Sequence, residues 1–100
     1  MSVTSAPFDF GLRDKLLRDP ENAAIYLAGM LEDGDIEQFQ EALRNVAKAQ
    51  EGGVRAIAKH ADVSRQNLYT ALSKDGKPQF DMVVKMLSAL GLRFTITPAH

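Results

Sequence analysis

The sequence predicts an all-α protein, a compact helical bundle closed by one short C-terminal β-strand. Apolar residues recur at spacings of three and four from Ala23 to Leu90, capping residues and glycines separate those stretches, and only residues 92–97 alternate with period two. With 100 residues, 45% of them apolar, the chain can fill one core but not two of ordinary size. The expected division is a flexible N-terminal arm over residues 1–8 and a single helical domain over residues 9–100.

The arm is read from its lack of periodicity and from Pro7. A short turn of helix follows at residues 12–17. Asp19-Pro20-Glu21 opens the next helix with a capping side chain, a proline at the first helical position and an acid in the first turn. Ala23, Ala24, Leu27, Met30 and Leu31 form its expected inner face, and Gly34 ends it. A helix over residues 35–50 has Asp35 as its cap and Phe39, Ala42, Leu43, Val46 and Ala47 inward. Gly52-Gly53 then precedes a two-turn helix with the stripe Val54, Ile57, Ala58 and Ala61. The last helix, over residues 80–90, points Met82, Val83, Met86, Leu87 and Leu90 inward and stops at Gly91.

A lone strand needs a ladder partner. The candidates are a second copy of itself across a two-fold axis, a strand from another protein, or the arm around Phe8-Asp9-Phe10. Self-pairing through Arg93, Phe94, Thr95, Ile96 and Thr97 in a homodimer is the favoured expectation.

The formal charge of -1 conceals an uneven distribution. Residues 1–52 hold five Lys/Arg against ten Asp/Glu, whereas residues 53–78 hold Arg55, Lys59, Arg65, Lys74 and Lys77 against Asp62 and Asp75. Such asymmetry suggests that the central segment meets a polyanion. Residues 53–74, GVRAIAKHADVSRQNLYTALSK, then supply a geometry for that meeting. Two helices crossing at a tight turn need small or aliphatic residues where they touch. Ile57, Ala58, Ala61, Val63, Leu68, Ala71 and Leu72 provide them, so the segment is expected to form a lambda-repressor-like helix-turn-helix. The turn position usually given to glycine is Asp62, a residue that tolerates left-handed geometry better than most.

Ser64 stands where the second helix starts, and its hydroxyl can cap a backbone amide. With Leu68 inward, Gln66 and Thr70 project directly outward with Ser73 beside them, Asn67 and Tyr69 lie on the flanks, and Arg65 is near the N-terminal end. Gln or Asn can pair with adenine, Arg with guanine, and a Thr methyl can meet a thymine methyl in a major groove. Arg55, Lys74, Lys77 and Lys59 are read as phosphate contacts, which add affinity without reading sequence. The expected DNA-binding set is therefore Arg55, Ser64, Arg65, Gln66, Asn67, Tyr69, Thr70, Lys74 and Lys77.

Over residues 8–97 the chain resembles the HigA-related addiction-module antidote proteins. The resemblance rests on Phe8-Asp9, Asp19-Pro20-Glu21, Phe39 with Ala42-Leu43, Ser64-Arg65 with Leu68-Tyr69 and Ala71-Leu72-Ser73, and Leu87 with Ala89-Leu90-Gly91-Leu92. Thr70 departs from the charged residue that often follows the tyrosine in such proteins. The resemblance implies an antitoxin of a type II toxin-antitoxin module that neutralises a RelE/ParE-like toxin and, as a dimer, represses its own operon from a palindromic double-stranded DNA operator. Such toxins are usually basic, and Glu32, Asp33, Asp35, Glu37 and Glu41 offer a compatible acidic surface.

The alternatives are a stand-alone transcriptional regulator and a protein-interaction adaptor that binds no DNA. Catalysis is not expected, since His60 has no partner acid in a recognisable motif, Ser64 is better used as a cap, and no phosphate loop or metal spacing occurs. No cofactor is implied. The lack of cysteine, of a membrane-length apolar run and of a secretory signal pattern leads to the expectation of a cytoplasmic protein that meets no membrane.

Overall fold

The computed structural model describes residues 10–73 and 77–99, with side chains from Leu12 onward. Among these residues six helices follow in order: α1 (Phe10–Leu17), α2 (Pro20–Glu32), α3 (Ile36–Ala49), α4 (Gly53–Ala61), α5 (Arg65–Leu72) and α6 (Phe80–Ala89). The N-terminal arm expected over residues 1–8 lies outside the described residues. None of the helices is long and apolar enough to cross a membrane.

α3 occupies the centre because its apolar residues span the widest arc. Phe39, Ala42, Leu43, Val46, Ala47 and Ala49 are all buried and cover about 160° of the helix at ~100° per residue. That arc packs against α1, α2, α4 and α5, while α4 also carries α5 and α6. Asp35 starts α3 as expected, its carboxylate accepting the Gln38 amide at 3.0 Å. Asp19 does the same for α2 through the Glu21 amide at 3.1 Å, with Pro20 at the first helical position.

Side chains bind the helices together where backbone groups would otherwise go unpaired. Arg18 Nε donates to the Ala49 carbonyl at 2.6 Å, and Gln50 Nε2 donates to the carbonyls of Leu17 and Val46 at 3.0 and 2.9 Å. These bonds hold the end of α1 against the end of α3, and satisfy terminal carbonyls that no helix can satisfy internally. Asn45 Nδ2 donates to Tyr26 Oη at 3.1 Å and ties α3 to α2.

Two expectations about packing are corrected. The inner face of α2 comprises Ala23 and Leu27, buried, with Tyr26 and Met30 packed against the core, whereas Ala24 and Leu31 face outward. The tyrosine joins the inner face because its hydroxyl reaches Asn45 while its ring packs. The second correction concerns the C-terminus. Residues 92–99 have no regular secondary structure, and no strand occurs among the described residues. Arg93, Phe94, Thr95, Ile96 and Thr97 are exposed; Phe94 stacks on Phe80 with ring centroids 5.4 Å apart. The period-two pattern was a sound guide to the absence of helix, but a ladder needs a second strand; of the arm candidate, Phe10 begins α1, while Phe8 and Asp9 lie outside the described residues.

The link from α4 to α5 is short and specific. Asp62 adopts left-handed geometry at φ 58°, the one non-glycine residue with positive φ among those described. Val63 N donates to the Ala58 carbonyl at 3.1 Å, the bond that closes a Schellman-type helix end. Replacing Asp62 by Gly removes the steric penalty of a Cβ in this region and should raise unfolding free energy by less than about 1 kcal/mol. The β-branched Asp62→Val should lower it by about 1–2 kcal/mol, measured by urea denaturation.

Candidate nucleic-acid interface

α5 is eight residues long, too short to hold its shape alone, so the core must position it. Leu68 is completely buried and Leu72 nearly so, and both belong to the central hydrophobic cluster. Ser64 fixes the start: its Oγ accepts the Asn67 amide at 3.0 Å and its backbone is extended. At the other end Arg44 Nε, from α3, donates to the Leu72 carbonyl. A cation placed there also opposes the negative end of the helix dipole. Ser73 closes the helix with its Oγ donating to the Thr70 carbonyl at 2.8 Å.

With the helix anchored on that side, Arg65, Gln66, Asn67, Tyr69, Thr70 and Ser73 are all exposed. Gln66, Thr70 and Ser73 lie on the arc opposite Leu68, and Tyr69, 53% exposed, lies on one flank. The outward arc is uncharged and rich in hydrogen-bonding groups, the composition that can pair with base edges. Arg55 and Lys59 are exposed on α4, and Lys77 is exposed on the segment before α6. Lys74 lies outside the described residues. Of the nine residues expected to meet DNA, six belong to α5 or its cap, and only Ser64 is committed to a bond that builds the helix.

Two cations beside α5 were missing from that expectation. Arg44, half-buried, and Lys48, exposed, stand one turn apart on α3 and line an open cleft of about 340 Å³ with Val54, Tyr69, Leu72 and Ser73. Their spacing of four marks a shared helix face, but nothing local in the sequence says that this face lies beside a segment 28 residues further on.

The acidic surface distributes along the N-terminal half of the chain. Glu32, Asp33, Glu37 and Glu41 are exposed, while Asp35 is partly buried and serves α3 as its cap. Glu32 and Asp33 sit at the C-terminal end of α2, where the helix dipole disfavours negative charge.

No solved structure matches the chain significantly. An uncharacterized protein of Haemophilus influenzae (strain Rd) is 36% identical over 88 residues, a match that covers 88% of each chain. Residues 6–98 match the family model described as "Probable addiction module antidote protein". Since that match takes in nearly the whole chain, the protein belongs to the family of probable addiction module antidote proteins.

Proposed function

We propose that this protein is the antitoxin of a type II module that reads its own operator through α5 and neutralises a RelE/ParE-like toxin. The observation that carries the DNA-binding part is the two-sidedness of α5. Leu68 and Leu72 are locked into the core, while Gln66 and Thr70 project into solvent from a helix capped at Ser64. α4, the turn at Asp62 and α5 act as a lambda-repressor-like helix-turn-helix, with Arg65, Asn67 and Tyr69 beside the reading arc. Arg55, Lys59, Lys74 and Lys77 serve as phosphate contacts.

The antidote family supports a toxin partner in general. The acidic surface of Glu32, Asp33, Glu37 and Glu41 supports a basic one, since Glu32 and Asp33 stand where they do nothing for their own helix. Co-expression with the product of the adjoining reading frame is the direct measure. The neighbour alone should arrest growth, and this chain should restore it; a neighbour with no effect on growth would leave no toxin for the antidote to oppose.

One copy presents a single eight-residue helix to DNA, too few contacts for operator-level affinity. A two-fold dimer that reads half-sites about 34 Å apart doubles them. The surface suited to that dimer carries Phe80, Val84, Phe94 and Ile96, apolar side chains left exposed, Ile96 at 97%. Phe94→Asp should convert dimers to monomers in sedimentation equilibrium; an unchanged mass would remove this surface from the dimer.

Specificity is expected to reside in Gln66. On DNA from upstream of the gene, Gln66→Ala should lose about 1–3 kcal/mol of binding, while Glu37→Ala should bind like the unaltered protein. Equal affinities for all three proteins in a band-shift titration would contradict base reading by α5.

A further inference from the structure

We infer that the cleft between α3 and α5 seats a backbone phosphate of the DNA duplex, gripped by Arg44 and Lys48 with Tyr69 as a third donor. The inference rests on the reading of α5 as the base-reading helix and adds a second helix, α3, to the interface. Neither cation faces a carboxylate within ion-pair distance among the described residues. Among those residues, both charges are open to an incoming anion.

Arg44 is held in place before any ligand arrives. Its Nε is occupied by the Leu72 carbonyl, which leaves the N–H groups at the tip of the guanidinium for a second acceptor. Fixing the side chain in advance reduces the ordering cost of binding. Val54 and Leu72, both buried, supply the apolar part of the cleft lining. An apolar wall lowers the local dielectric and strengthens any charge contact made in front of it. Tyr69, 53% exposed, also lines the cleft, and its Oη makes no hydrogen bond among the described residues.

The position suits a phosphate rather than a base. A helix about 10–12 Å across nearly fills a major groove about 12 Å wide, so its flanks lie beside the two phosphate strands. Tyr69 marks the flank that faces α3, and Ser73 connects that flank to the outward arc of Gln66 and Thr70. When those two residues point at base edges, the cleft meets the strand alongside. The contact is blind to sequence and sets how deeply α5 enters the groove.

The experiment measures binding against salt concentration for the full chain and three variants, Lys48→Gln, Lys48→Arg and, as a control on α1, Lys15→Gln. Lys48 is chosen because it is exposed, whereas substituting Arg44 would also free the Leu72 carbonyl; equal melting temperatures check that folding is unchanged. One lost phosphate contact should flatten the slope of log K against log salt by about 0.9, so that the affinity lost in Lys48→Gln shrinks about threefold between 50 and 200 mM salt. The loss should be the same on operator and on random DNA, and Lys48→Arg should restore it. A Lys48→Gln slope equal to that of Lys15→Gln would overturn the phosphate site while leaving α5 as the reader. Absence of DNA binding by the unaltered protein would instead overturn the reading of α5, and the cleft assignment with it.

Discussion

The whole arrangement depends on the burial of one helix along nearly half its circumference. α3 supplies the apolar arc from Phe39 to Ala49 against which α1, α2, α4 and α5 all pack. α5, with two turns and a cap, has little stability of its own. Its orientation is borrowed: Leu68 and Leu72 enter the common core, and the Leu72 carbonyl is held by Arg44 of α3. The direction in which Gln66 and Thr70 point is thus set by α4, which α5 packs against, together with α3 residues such as Arg44, 22 positions before Gln66.

Much of this was legible because the period of apolar residues and the capping chemistry agree. In α3 and α4 a single stripe is apolar and the opposite side is polar, so phase follows directly; Val54, Ile57, Ala58 and Ala61 are all buried where the spacing puts them. α2 was harder. Ala23, Leu27 and Met30 compete with Ala24, Ala28 and Leu31 for the inner face, and both sets are apolar. The choice is made by Tyr26, whose hydroxyl meets Asn45 on another helix, a contact that no local pattern contains. The tail failed as a strand for a related reason: alternation describes backbone extension, while a sheet is a relation between two segments.

The site divides along the same line. Ser64 as cap and Leu68 as anchor are adjacent in sequence to the residues they orient, so the exposed arc of α5 could be derived from spacing alone. Arg44 and Lys48 could not, because they matter only through the packing of α3 on α5. Summing charge over residues 1–52 hid them further. α3 itself is acidic at its start, with Glu37 and Glu41, and basic toward its end, with Arg44 and Lys48, the polarity that its dipole favours.

That α3 touches α1 and α2 on one part of its surface and α5 on another has a thermodynamic consequence. A ligand on the α1–α2 side that prefers a slightly different seat for α3 would tilt the helix held by Arg44, and the two binding events would share a coupling free energy. Reciprocity then requires that occupancy of one surface alter affinity at the other by the same factor.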